Sequence, residues 1–421
     1  MSERRANIIP HIDWFAIGIY LMIALIGWLN IYSADYKTAH PGILDFSQRY
    51  GKQFIWIITG FIMAFFIMVS EASFFSVFSY LLYGTTIFAL IAVRFIGKDI
   101  AGSHSWFKIG QIGIQPAELG IFAINLGLAK YLSNEKKAAD VKKIRLVAAG
   151  MVLFPMLLIV LQNETGVAIT YTAFIFVLYR EGLSGNILLG GFMLIALFIL
   201  ALVGNKIVLS IVLTGLALAA FLIFTRRKIK DLSRVGAILG LCLAIVFGTN
   251  YAFNHLEPHQ KKRIQVFLQQ NVNNSKEGYN LHQAEIAIAS GGLWGKGFLQ
   301  GTQAKLNYVP AHATDFIYVT PAEEWGFIGA TFIIILYFTL IIRLIFLAER
   351  QRSPFSRIYG YGVASIFFIH VAINIGMNLG LMPVIGIPLP FISYGGSSFW
   401  AFTLLLFIFL RLDADRMQIL R

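Results

Sequence analysis

Residues 321–347 read PAEEWGFIGATFIIILYFTLIIRLIFL. A hydrocarbon core about 30 Å thick takes roughly 20 apolar residues of helix, so this stretch reads as a membrane-crossing helix with a polar end. That end carries Glu323 and Glu324. A carboxylate facing lipid is costly, so at least one of the two is expected to be embedded in a bundle of helices. Just upstream, Val309-Pro310-Ala311-His312-Ala313-Thr314-Asp315-Phe316 closes a long, glycine-punctuated polar segment that begins near Gly278. A carboxylate at the lip of an apolar scaffold is the first place to look for chemistry.

The rest of the chain is mostly oil-soluble. It has 421 residues, 57% apolar and 13% charged, with a mean hydropathy of +0.72. A soluble domain carries roughly 25% charged residues, so lipid is the main solvent here. The net charge is +13, but no basic run interleaved with aromatics marks a nucleic-acid platform. The single cysteine, Cys242, lies in an apolar run and permits no internal disulfide. The eight histidines show no metal-ligand spacing.

Twelve windows satisfy the length rule, near 14–34, 53–70, 74–96, 117–132, 144–161, 164–180, 186–204, 206–224, 234–253, 321–347, 358–380 and 396–411. They are too long for strands and lack the alternation of a membrane barrel. The expected fold is an all-α integral membrane protein, a polytopic bundle of ten to twelve helices forming one membrane domain over 1–421. Its one large outer loop spans 254–320. With a cytoplasmic N-terminus, 21 of the 34 Lys and Arg fall on the inner side and 13 on the outer. That excess favours both termini in the cytoplasm. The first apolar run reads as an uncleaved signal anchor. Six of the outer thirteen sit in the 254–320 loop, against the usual bias, which suggests a local need such as binding an anion.

Several motifs can carry chemistry. In the outer loop, Gln283 precedes the turn Gly291-Gly292-Leu293-Trp294-Gly295-Lys296-Gly297. Glycines allow close backbone approach, and exposed N–H groups with the Lys296 charge could cradle a phosphate. An ordinary glycine-rich connector looks the same. Thr314 and Asp315 precede a helical run, so Asp315 reads equally as a helix cap or as a general base. Near the C-terminus, Pro388-Leu389-Pro390-Phe391-Ile392-Ser393-Tyr394-Gly395-Gly396-Ser397-Ser398 breaks helix at membrane depth. Irregular backbone survives there only against protein or a wet cavity, which Ser393, Tyr394, Ser397 and Ser398 are expected to line. Glu118 and Glu164 are two further intramembrane carboxylates, each also readable as a cap. Trp106 reads as an interfacial tryptophan or a substrate contact.

Taken in order, these motifs resemble the SEDS family of bacterial cell-wall polymerases, which includes RodA and FtsW. The pieces are Gly102 to Trp106, Gln115-Pro116-Ala117-Glu118, Gln162 to Gly166, Gly278-Tyr279 through Gly297, Thr314-Asp315-Phe316-Ile317, Glu323-Glu324, and Pro388 to Ser398. Gly301-Thr302-Gln303 looks more like the elongation branch. The resemblance implies a peptidoglycan glycosyltransferase that polymerises lipid II during elongation and rod-shape maintenance. In that family the aspartate matching Asp315 is the base that deprotonates the acceptor's GlcNAc 4-hydroxyl. Attack on MurNAc C1 of the donor then releases undecaprenyl diphosphate, whose charge would explain the basic loop. The resemblance also implies a divalent cation (Mg or Mn) with unknown ligands, and a class B penicillin-binding protein as partner among other elongation-complex proteins. The implied location is the bacterial cytoplasmic (inner) membrane.

Three departures stand out. The family's lysine three residues after the glutamate is Ile121 here, leaving Glu118 without its ion-pair partner. Its usual Gln-Pro-Asp appears as Gln162-Asn163-Glu164. Finally, the family has ten spans, so a two-helix insertion over 206–253 is expected, its basic turn starting at Arg226. A lipid II flippase and a non-catalytic activator of the transpeptidase are the competing readings.

Overall fold

Lipid offers no partner to a bare N–H or C=O, so apolar runs satisfy their backbone internally as helices. The computed structural model describes residues 9–36, 42–100, 103–110, 112–134, 141–224, 229–256, 258–268, 276–302 and 313–417. Of the residues singled out above, Gly102, Arg226, Gln303 and the stretch 309–312 lie outside this set.

Among the described residues, ten helices are long and apolar enough to cross a membrane. They are α1 (Trp14–Asp35), α2 (Arg49–Val69), α4 (Ser79–Ile96), α7 (Val141–Val160), α10 (Gly185–Val203), α11 (Lys206–Phe224), α12 (Ile229–Asn254), α16 (Gly326–Glu349), α17 (Pro354–Asn378) and α18 (Gly396–Ala414). The two remaining windows are broken. One is split at Gly120 into α5 (Pro116–Leu119) and α6 (Ile121–Asn134). The other is α8 (Thr165–Thr170) and α9 (Phe174–Arg180), joined by a 3-10 turn at Tyr171–Ala173. Hydropathy alone could not see either break.

Shorter helices fill the connections: α3 (Ala72–Val77), α13 (Pro258–Phe267), α14 (Lys276–Gly291) and α15 (Val319–Glu324). A small antiparallel sheet between α4 and α5 accompanies the expected helical bundle. Its strands are β1 (Lys98–Ile100), β2 (Ser103–Ile109) and β3 (Ile112–Ile114), in that order. They fall in the polar stretch between apolar runs, where the membrane argument against strands has no force.

Contacts divide the chain into two compact units, where the sequence read as one domain. The first comprises Met1–Gly182 with Tyr279–Arg421, the second Leu183–Gly278. In the second, α10 and α11 pack against α12. Leu197, Ala201 and Val246 are buried there with Cys242 against them, so the cysteine is a packing residue. This unit encloses the 206–253 pair and adds α10 and α13.

The first unit holds the candidate site. α1 and α16 run antiparallel and are tied at both ends. At one end Arg343 grips Asp13, with Nε and Nη2 at 3.1 and 2.5 Å from Oδ2. Arg350 takes Asp413 of α18 with one nitrogen on each oxygen, Nε to Oδ1 at 2.9 Å and Nη2 to Oδ2 at 2.5 Å. At the other end the Ser33 hydroxyl donates to Glu324 Oε1. The Tyr318 hydroxyl donates to the Ala330 carbonyl at 3.2 Å, so α15 folds back along α16.

Residues 379–395, between α17 and α18, form no helix, as their prolines and glycines predict. Protein groups satisfy the exposed backbone. Asn374 Nδ2 donates to the Ile387 carbonyl at 2.7 Å, the Tyr337 hydroxyl donates to the Pro390 carbonyl, and Leu389 N donates to Ser393 Oγ at 2.8 Å. α1 lies directly against this segment at Gly27. A Cβ there would stand 2.6 Å from both Ile392 Cα and the Phe391 carbonyl oxygen.

Candidate active site

Asp315 sits in a non-helical turn, residues 313–318, just before α15. The helix cap position belongs to Tyr318, with no side-chain capping bond, and Asp315 lies three residues before it. Three consecutive carbonyls of the turn are held from outside. Tyr394 N donates to Ala313 O at 2.8 Å. Ser393 Oγ donates to Thr314 O at 2.7 Å. Asn374 and Asn378 Nδ2 both donate to Asp315 O, at 2.9 and 3.1 Å. The helix-breaking segment thus grips the turn that carries the carboxylate.

Glu118 lies within electrostatic reach of both Glu164 and Asp315. Glu164 stands at the cap position of α8 but makes no side-chain capping bond. Its Oε1 accepts from Ser105 Oγ of β2 at 2.6 Å. Glu118 lies in α5 beside buried Ile121 and pairs with no cation among the described residues. Three carboxylates from the first unit's separate segments therefore share one neighbourhood.

The glycine turn is bonded to α15. Lys296 Nζ lies 2.6 Å from Glu323 Oε1 and 2.9 Å from Thr302 Oγ1. Glu323 is fully buried, and Thr302 donates to the same oxygen through both N and Oγ1. The turn's own amides are also committed: Lys296 N and Gly297 N donate to the carbonyls of Glu323 and Glu324, at 3.0 and 2.9 Å. Gly295 has φ +80°, and a Cβ on it would meet the Glu324 carbonyl oxygen at 2.1 Å. These groups form a clasp on α15. Burial of a carboxylate requires such a partner, and the nearest lysine supplies it.

Two serines of the C-terminal motif hydrogen-bond to the backbone of other segments. Ser393, Ser397 and Ser398 are buried. Ser393 bridges Leu389 and Thr314 as above, and Ser397 Oγ accepts from Gln115 N at 3.2 Å. That last bond joins the motif to the residue preceding α5 and Glu118. Tyr394 is half-buried and hydrogen-bonds to Trp56. Trp106 lies half-buried in β2, next to Ser105, with its ring against Gly113 of β3. Gln283, in α14, is half-buried, and no contact among the described residues joins it to the three carboxylates. Sequence reasoning missed Ser105, Asn374 and Asn378. Two asparagines four residues apart in an apolar helix were the available signal, since polar groups in lipid need partners.

The geometry can be set beside known proteins. The FtsW/RodA/SpoVE family, described as cell cycle protein, matches residues 13–418. This chain belongs to that family. The peptidoglycan glycosyltransferase RodA of Treponema pallidum is 30% identical over 413 residues, covering 92% of this chain and 94% of the relative. The peptidoglycan glycosyltransferase MrdB of Escherichia coli K12 is 31% identical over 318 residues, covering 75% and 72%. Among solved structures, a chain from a peptidoglycan synthase complex that coordinates polymerization and crosslinking superposes with a TM-score of 0.70 at 25% identity. It covers 97% of this chain and 99% of the other. The polytopic helical membrane architecture is shared across the FtsW/RodA/SpoVE family member and this neighbour.

Among the described residues no group of three or more His, Cys, Asp or Glu side chains could hold a metal ion. Glu118 is the electrostatic neighbour of both Glu164 and Asp315.

Proposed function

We infer that this chain is a peptidoglycan glycosyltransferase of cell elongation, and we propose lipid II as its substrate with Asp315 as the general base. The observation that carries the base assignment is the external grip on carbonyls 313 to 315, which presents one carboxylate on a fixed backbone within electrostatic reach of Glu118. A base must be held within hydrogen-bond reach of the proton it takes. Asp315 accepts the proton of the acceptor's GlcNAc 4-hydroxyl, and that oxygen forms a bond to MurNAc C1 of the donor. The bond from C1 to the diphosphate oxygen breaks, and undecaprenyl diphosphate leaves with the electron pair. Ser105 orients Glu164 through their hydrogen bond. Glu323 and Glu324 act indirectly, by anchoring α15 and the clasp.

The membrane is bacterial and cytoplasmic in this reading, with both termini inside and the Asp315 end outside. A class B penicillin-binding protein is the proposed partner, in keeping with a structural neighbour from a complex that couples polymerization to crosslinking. The divalent cation implied by the resemblance is carried as an assay variable.

The test is purified protein, wild type and Asp315→Ala, given fluorescent lipid II with and without Mg or Mn, alone and with its partner. Wild type should build glycan chains, and Asp315→Ala should lose activity by about two orders of magnitude or more. Wild type that only flips lipid II across proteoliposomes would establish a transporter instead. Normal polymerisation by Asp315→Ala would remove the base assignment.

A further inference from the structure

We propose that Asn374 and Asn378 are positioning residues that fix the direction in which Asp315 presents its carboxylate. The proposal rests on the reading of Asp315 as the base and goes beyond it by naming what aims that base.

Both asparagines are fully buried, one turn apart on α17. A buried amide is costly unless bonded, and its own helix could satisfy it through the carbonyl four residues back. Asn378 does make that local bond, to Asn374 O at 2.8 Å. Yet its amide also reaches the Asp315 carbonyl at 3.1 Å. The Asn374 amide makes two bonds to other segments, to Asp315 O at 2.9 Å and to Ile387 O at 2.7 Å. Two donors on one carbonyl occupy both of its lone pairs, far more than helix stability asks.

The consequence follows from peptide planarity. The Thr314 carbonyl belongs to the peptide plane before the Asp315 Cα, and Ser393 holds it. The Asp315 carbonyl belongs to the plane after that Cα, and the two asparagines hold it. With both planes fixed, φ and ψ of Asp315 are fixed, and so is the Cα–Cβ direction. Only the side-chain torsions of the base remain. Because Asn374 also binds Ile387, the base is aimed relative to the helix-breaking segment rather than to α17 alone. A displacement of about 1 Å at a reacting group can cost on the order of a hundredfold in rate.

The experiment compares full-length Asn374→Leu, Asn374→Gln, Asn378→Leu and Asp315→Ala with wild type, measuring kcat and KM for lipid II and the melting midpoint in detergent. Asn374→Leu should lower kcat by about 10- to 100-fold, with KM within about twofold because uniform binding is untouched. Asn378→Leu should lower kcat less, since Asn374 still holds the carbonyl. Asn374→Gln keeps the donor and should recover part of the loss. Wild-type kcat in both leucine variants, or a raised KM with kcat intact, would overturn the proposal. If Asn374→Leu does not fold, Asn378→Leu decides by the same criteria. An inactive Asp315→Ala beside fully active asparagine variants sinks the positioning role alone, whereas an active Asp315→Ala sinks the base reading first.

Discussion

Lys296 illustrates how a residue's role is set by what lies across the fold from it. In sequence it stands among glycines, the surroundings of a phosphate-binding lysine. In space its ammonium meets Glu323, 27 positions later and fully buried. Removing one partner of a buried pair leaves an uncompensated charge, which costs about 3–5 kcal/mol. Lys296→Ala should fall at the low end, near about 3 kcal/mol, because Thr302 still donates two hydrogen bonds to Glu323. The measurement is a melting curve alongside KM for lipid II. The clasp predicts a lowered midpoint, whereas a phosphate contact predicts a raised KM at unchanged stability. Asp315 was legible as a candidate because helix breakers and a carboxylate meet there. The choice between cap and base was not legible, since it turns on where α15 begins and on side chains more than 50 positions downstream.

At the level of elements, the Pro388–Ser398 segment was readable as irregular because proline and paired glycine forbid helix in any surroundings. The windows at 117–132 and 164–180 were not readable as broken, since hydropathy counts apolar residues and is blind to a turn at Gly120 or a 3-10 step at Tyr171. Nor was the tight seam between α1 and the irregular segment, although it sets where Ser393 and Tyr394 stand. Gly27→Ala tests that seam. Its Cβ would press on backbone atoms, Ile392 Cα and Phe391 O, both at 2.6 Å, so α1 or the segment must move. The bonds from Ser393 and Tyr394 to the Asp315 turn should then loosen and the polymerisation rate should drop about tenfold or more. Gly18→Ala, on the same helix with nothing within 4 Å, is the matched control and should behave as wild type. Equal rates in the two variants would detach the seam from the site.

For the molecule as a whole, charge and carboxylate chemistry sort to opposite ends of the first unit. One end ties Asp13, Arg343, Arg350 and Asp413 together, and the other holds Asp315, Glu118 and Glu164. A bundle in lipid is oriented by its Lys and Arg, which accumulate on the cytoplasmic side, so the arginine end is expected inside and the carboxylates outside. This matters for chemistry, because a polymerase that builds the wall must present its base to the outer face. The single native cysteine makes the orientation measurable. In a Cys242→Ser background, Trp294→Cys places a thiol where the native side chain is 81% exposed, on the Asp315 side of α16. Arg352→Cys places one at an exposed position just after α16, two residues from Arg350 of the arginine cluster. A membrane-impermeant maleimide added to intact spheroplasts should label Trp294→Cys at once, and Arg352→Cys only after permeabilisation. The reverse pattern would turn the bundle over and put Asp315 in the cytoplasm. There it could not extend a glycan outside the cell, whatever its geometry.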